Sequence, residues 1–100
     1  MAGHELPEAV NFDNLPELRR AGEAYIDSAA APVFDLHRLT SASSAVVALM
    51  LAWFRYSHGR GKVVSFVNVP EGVMNIVEVS ELTKLLPIET AGRSVAGAEL

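Results

Sequence analysis

Apolar and polar residues alternate along the chain in blocks that predict an ordered series of strands and helices. The opening segment, HELPEAVNF, is short and interrupted by Pro7, which favours a strand at a sheet edge ending in Val10 and Phe12. The next segment, residues 14–26, carries apolar residues at helical spacing. Asn14 is its expected N-cap, and Glu17 three residues later completes the spacing of a capping box.

The rest of the chain continues the alternation. Residues 32–36 form a short apolar run that predicts a strand covered on both faces, and the β-branched run KVVSFVNV, residues 62–69, predicts the clearest strand. Residues 70–79 predict a third helix that begins with Pro70 and an acid. A closing segment, SELTKLLPI, is expected to deliver three leucines to the core, Leu82, Leu85 and Leu86.

The helix predicted after residue 44 is apolar on all sides. Helical spacing assigns one stripe to the sheet, namely Val47, Met50, Leu51 and Phe54. The opposite stripe is also apolar and consists of Ala45, Ala48, Leu49, Ala52 and Tyr56, with Val46 and Trp53 beside it. A second cover from another chain is the expectation, and the alternative is cover by the tail or another helix of the same chain. Gly59 is the expected residue just beyond the helix end.

Short connections and the alternating order predict an α/β fold with a mainly parallel small sheet and about three to four helices packed against it. Residues 1–88 are expected to form a single domain, and residues 89–100, which lack periodicity, a flexible tail.

Composition removes several function classes. The 100 residues include no cysteine, so a disulfide framework and a thiolate metal site are excluded and a reducing compartment is favoured. The net charge is −4 and the eight basic residues are scattered, which argues against nucleic-acid binding. No signal peptide is apparent, and residues 45–54 are too few to cross a bilayer, so a cytoplasmic protein without a membrane span is expected.

The sequence predicts no catalytic, metal-binding or cofactor-binding site. His4, His37 and His58 lie in different elements without an acid at ligand spacing. The segment GRGK follows a helix and precedes a strand, the reverse of a phosphate-binding loop, so it is interpreted as a helix stop. Asp35, at the end of a strand, is expected to hydrogen-bond loop amides.

The hydroxyl-rich loop is the strongest candidate site. It contains Thr40, Ser41, Ser43 and Ser44, and it lies between the carboxyl end of a parallel strand and the start of a helix, where open α/β sheets present their sites. Helix capping by Ser43 or Ser44 would need only one hydroxyl. A ligand, a phosphorylation target or a protein partner could use the others.

Three segments resemble the STAS domain, the fold of anti-anti-sigma factors and of the MlaB-type subunits of Mla phospholipid transporters: FDLHRLTSASSAVVALMLAWFRYSHGRGK, VVSFVNVP and VSELTKLLPI. Counted from Asp35, Ser43 takes the place of the family's signature acid and Ser44 that of its first hydroxyl. Ala45 then replaces the serine that is phosphorylated in anti-anti-sigma factors. A shift of one position would make Ser44 the acceptor.

The resemblance implies a non-enzymatic subunit that binds and supports the cytoplasmic MlaF-like ATPase of an ABC transporter, and through it an inner-membrane permease. The implied function is phospholipid transport that maintains outer-membrane lipid asymmetry. The expected partner-binding residues are Thr40, Ser41, Ser43, Ser44, Ala45, Ala48, Leu49 and Ala52. The alternative is an anti-anti-sigma-type regulator phosphorylated on Ser43 or Ser44. Whether the isolated chain forms a homodimer through the same helix is left open.

Overall fold

A computed structural model describes residues 3–89 of the chain. Four strands and three helices alternate in it: β1 (His4–Glu5), α1 (Leu15–Ser28), β2 (Val33–Asp35), α2 (Ser44–Gly59), β3 (Ser65–Val67), α3 (Glu71–Val79) and β4 (Ile88–Glu89). The predicted tail, residues 89–100, lies outside the described residues except for Glu89, which belongs to β4.

The four strands form one parallel sheet in the order β1-β2-β3-β4. Because each strand is followed by its neighbour in the same direction, right-handed crossovers place the three helices on one face of the sheet. The predicted α/β class with a parallel sheet is therefore confirmed. The strand β4 was not predicted, since Ile88 and Glu89 are too short a run to show a period.

The core lies between the helices and the sheet and is centred on three aromatic rings. Trp53 of α2 stacks on Phe34 of β2, with 4.0 Å between ring centroids and 8° between the ring planes. Phe34 in turn lies 5.8 Å from Phe66 of β3. Of the three leucines expected to reach the core from the closing segment, Leu86 is buried and Leu82 is half-buried, but Leu85 is exposed. The prediction for Leu85 is therefore wrong.

Helix α2 ends two residues later than predicted. Gly61, with φ of 69°, lies just beyond the helix and its N–H donates to the carbonyl of His58, while the N–H of Lys62 donates to the carbonyl of Ser57. These two bonds form a Schellman motif, so Gly61 takes the position that was predicted for Gly59. A positive φ is what requires glycine there.

The start of α1 also differs from its prediction. Asn14 is the N-cap residue, but its side chain makes no capping bond to the first turn of the helix. Instead its Oδ1 accepts from the N–H of Asn11, and its Nδ2 donates to the carbonyl of Ala9. The predicted capping box is wrong because the side chain folds back onto the preceding turn.

Candidate functional site

The candidate site lies at the carboxyl edge of the sheet, where residues 36–43 connect β2 to the start of α2. Most of these residues are exposed, although Leu39 is buried and anchors the connection in the core. The first turn of α3 lies beside it, because a Cβ on Gly72 would come within 2.9 Å of the Cβ of Ala42. Three separate segments therefore meet at this site: the hydroxyl-rich loop, the start of α3, and residues 8–10, which hydrogen-bond to the loop.

Asp35 fixes the beginning of the connection. Its Oδ1 accepts hydrogen bonds from the backbone N–H of His37 at 3.0 Å and from Nδ2 of Asn68 at 3.1 Å, and it lies 3.0 Å from Nδ1 of His37. Burial of the Asp35 side chain favours a raised pKa, but these hydrogen bonds outweigh it and hold the pKa below its usual value. The predicted role of Asp35, hydrogen bonding to a loop amide, is confirmed.

The four hydroxyl residues of the loop divide into two pairs. Thr40 donates from both its backbone N–H and its Oγ1 to the carbonyl of Glu8, at 3.0 and 3.2 Å, and Ser43 donates from Oγ to the carbonyl of Val10 at 3.2 Å. Ser41 and Ser44 are exposed, and their hydroxyls make no hydrogen bond within residues 3–89.

Side-chain capping of α2 was the simplest explanation of the loop serines, and the structure does not contain it. Ser43 is the N-cap residue, but its hydroxyl is used as a donor to Val10 and accepts no bond from the first turn. Of the hydroxyls predicted to contact a partner, those of Ser41 and Ser44 are therefore the available ones.

The predicted partner face of α2 is wrong at two residues. Ala45 is 1% exposed and Leu49 is 0% exposed, so neither can contact a second protein without unfolding. They belong to a buried stripe at spacing of four that continues through Trp53 to Ser57. Because Trp53 stacks on Phe34 of β2, the side of α2 that carries this stripe faces the sheet.

The cover that was expected from another chain is supplied, for Ala45 and Leu49, by this chain's own hydrophobic core. Helix α2 packs against both α1 and α3 and joins them in one hydrophobic core. Leu51 and Phe54, which were assigned to the sheet side, are only half-buried. The outward stripe instead begins at Ser44 and continues through Ala48 to Ala52, both half-buried.

The structure also brings Glu5, Asp35 and His37 together, with one potential metal-ligand atom of each within 4.8 Å of the others. Glu5 and Asp35 are register partners in neighbouring strands, and His37 is bonded to Asp35. Strand register and the hydrogen bond account for this proximity without an ion. The sequence did not predict the grouping because Glu5 is separated from Asp35 by a whole helix.

Residues 8–12 contribute to the site and were missed. The sequence pattern was interpreted as a strand ending at Phe12, whereas the strand ends at Glu5 and Phe12 is 66% exposed in a turn. The signal that could have found this turn is the pair of asparagines in NFDN, since asparagine side chains commonly bond to backbone groups two or three residues on.

None of the helices described between residues 3 and 89 is long and apolar enough to cross a membrane.

Comparisons with known proteins cover nearly the whole described chain. A family model described as "Mlab, STAS domain" matches residues 5–87. Among solved structures, that of a proposed anti-sigma factor antagonist from Thermotoga maritima is similar, with a TM-score of 0.71 and 14% sequence identity over 83% of this chain and 74% of that one. At this identity the similarity shows a shared fold. No match was found among curated proteins.

Proposed function

The chain belongs to the MlaB-like STAS domain family, and from that premise we propose that it is a non-catalytic subunit of an ABC-type phospholipid transport system that maintains outer-membrane lipid asymmetry. Its direct partner is the cytoplasmic ATPase of that system, an MlaF-like protein, which it binds and supports. It has a cytoplasmic location and reaches the inner-membrane permease only through this ATPase.

The observation that carries the proposal is the contrast between Ser44 and Ala45. In the family resemblance, Ala45 occupies the position of the serine that is phosphorylated in anti-anti-sigma factors, and here it is a buried alanine without an acceptor group. Ser44 is exposed at the first turn of α2, and its hydroxyl is free of bonds within the described residues. This arrangement suits a constant protein contact better than a phosphorylation switch.

The corrected surface gives the contact a defined composition. Ser41 and Ser44 supply hydroxyls that can hydrogen-bond a partner, and Ala48 and Ala52 supply small apolar groups on the outward stripe of α2. Small side chains let a partner backbone approach closely. A few such residues, once covered, can carry most of the binding energy.

The test is co-purification of the tagged chain with the MlaF-like ATPase from detergent-solubilised membranes of its own organism. We expect recovery of the ATPase with the wild-type chain and loss of recovery with Ser44→Leu and with Ala48→Arg. Val79→Arg is the matched control, since Val79 is exposed at the far end of α3. Equal recovery with all four chains, or no recovery with any, would contradict the proposal.

A second candidate function is an anti-anti-sigma-type regulator controlled by serine phosphorylation. It is favoured by the exposure of Ser44 at the first turn of α2, where the positive end of the helix dipole would stabilise a phosphate. Ser43 is a poorer acceptor because its hydroxyl bonds to Val10. Incubation with the kinases of the same cell, followed by mass spectrometry, distinguishes the two functions: phosphate on Ser44 that abolishes partner binding supports the regulator.

A further inference from the structure

Residues 8–12 and the hydroxyl-rich loop form one continuous surface. Two donors of Thr40 bond to the carbonyl of Glu8, and the hydroxyl of Ser43 bonds to the carbonyl of Val10. These contacts join segments more than 30 residues apart in sequence. A partner that covers Ser44 therefore approaches a surface that includes the turn after Val10.

The turn that follows Val10 is held by four hydrogen bonds between two asparagines and the backbone. Oδ1 of Asn11 accepts from the N–H groups of Asp13 and Asn14 at 2.9 and 3.0 Å. Oδ1 of Asn14 accepts from the N–H of Asn11 at 2.9 Å, and its Nδ2 donates to the carbonyl of Ala9 at 3.0 Å. Little conformational entropy is then lost when the turn is bound.

Phe12 lies in this turn and is 66% exposed. Single exposed apolar residues are common on protein surfaces, so exposure by itself indicates nothing. Phe12 differs because the backbone on both sides is fixed and because the turn is bonded to the loop that carries Ser44. A large ring on a pre-ordered backbone beside a binding loop suits an interface anchor, because aromatic residues are enriched at interfaces and a fixed backbone loses little entropy on binding.

The charges around this surface are mainly negative. Glu8 and Asp13 are exposed between β1 and α1, Glu71 is exposed at the start of α3, and Arg38 is exposed in the connection between β2 and α2. A partner surface with basic residues would be electrostatically complementary to this rim.

We infer that Phe12 is an anchor residue of the ATPase interface, which inserts into an apolar pocket of the partner while basic side chains around that pocket face Glu8 and Asp13. The inference rests on the proposed function, because it commits to the MlaF-like ATPase as the partner. It extends the binding surface beyond the hydroxyl-rich loop and α2 to the turn between β1 and α1.

The experiment measures the dissociation constant between the full chain and the purified MlaF-like ATPase of the same organism by isothermal titration calorimetry. We expect Phe12→Ala to weaken binding about 10-fold or more, the effect of losing a hot-spot residue, and Phe12→Leu to retain most of the affinity. Val63→Ala is the matched control, since Val63 is 79% exposed and lies just before β3, towards the opposite edge of the sheet. It should bind like wild type.

Two further variants complete the design. Glu8→Gln combined with Asp13→Asn should slow association and reduce its dependence on salt concentration, with a smaller effect on dissociation. Ser44→Leu tests the proposed function independently. Thermal unfolding of each variant verifies that the fold is unchanged, as expected for exposed positions.

The outcomes separate the two claims. If Ser44→Leu weakens binding and Phe12→Ala binds like wild type, the anchor is overturned while the proposed function stands. If Val63→Ala weakens binding as much as Phe12→Ala, the anchor is also overturned, because any exposed apolar residue would then have the same effect. If the wild-type chain does not bind the ATPase, both claims fail.

Discussion

The indole ring of Trp53 occupies the space that a side chain on Gly22 would need. A Cβ built on Gly22 would overlap the indole at Nε1 and Cε2. The ring is buried, stacks on Phe34, and donates from Nε1 to the carbonyl of Arg19 at 3.2 Å. Gly22 therefore sets how closely α1 approaches α2.

Gly22→Ala should destabilise the protein by about 1–3 kcal/mol, because the added methyl group forces the indole away from both Phe34 and Arg19. Urea unfolding followed by the fluorescence of Trp53, the one tryptophan of the chain, measures the change. Gly59→Ala is the matched control: nothing lies within 4 Å of its added Cβ, so helix propensity alone predicts a gain of up to about 1 kcal/mol. Equal losses in the two variants would contradict the packing role of Gly22.

Leu49 and Leu51 test the orientation of α2. Leu49→Ala should cost about 2–5 kcal/mol, since it leaves a cavity in the core, and Leu51→Ala clearly less, since Leu51 is half-buried. Chemical denaturation of the two variants under the same conditions provides the comparison. If Leu51→Ala lost more unfolding free energy than Leu49→Ala, the observed orientation of α2 would be contradicted and the one expected from helical spacing would be supported.

The contribution of Asp35 should depend on pH. Its pKa is lowered in the folded state, so its ionised form stabilises the fold above about pH 3.9, the unfolded value, and this stabilisation is lost as the pH falls through the folded pKa. Asp35→Asn should lose about 1–3 kcal/mol at neutral pH, because charge-assisted bonds to His37 and Asn68 are weakened. Denaturation curves between pH 7 and pH 3 should show wild type and variant converging at the acid end. A difference in unfolding free energy between wild type and variant that stayed constant over this pH range would contradict the stabilising role of the ionised Asp35 side chain.

His4 should add a second pH dependence at a higher range. Its ring packs against Tyr25, Phe34 and Trp53, and burial lowers its pKa in the folded state. The folded chain therefore binds a proton less readily than the unfolded chain, and stability falls as the pH drops from above 6.5 to below the folded pKa. Between pH 8 and pH 5, wild type should lose more stability than His4→Phe. If calorimetric or urea unfolding showed the same loss of stability for wild type and His4→Phe, His4 would not contribute to the pH dependence.

Much of the fold could be predicted because its elements carry local signals. Helical spacing located α1, and Pro70 followed by an acid located α3. A short apolar run located β2, a β-branched run located β3, and short connections required a parallel sheet. The rotation of α2 could not be predicted, because a helix with apolar residues on every side offers no preferred face. That face is chosen by the stacking of Trp53 on Phe34, a contact between segments that sequence periodicity does not connect.

The candidate site was predicted only in outline. The position of the hydroxyl-rich loop followed from its place between a strand and a helix. Which hydroxyls are available depends on the carbonyls of Glu8 and Val10, and these approach the loop only once β1 has paired with β2. Phe12 was placed in a strand because the alternating pattern of the sequence continued past Pro7, whereas β1 ends at Glu5.

Within residues 3–89, the two edge strands β1 and β4 have two residues each, and a proline lies close to each of them: Pro7 shortly after β1 and Pro87 directly before β4. Short edges next to a residue without a backbone N–H give a foreign strand few groups to pair with. Sheet extension through residues 4–5 or 88–89 should for this reason be weak, and polymers that form in concentrated solutions should not be joined by backbone pairing at these residues.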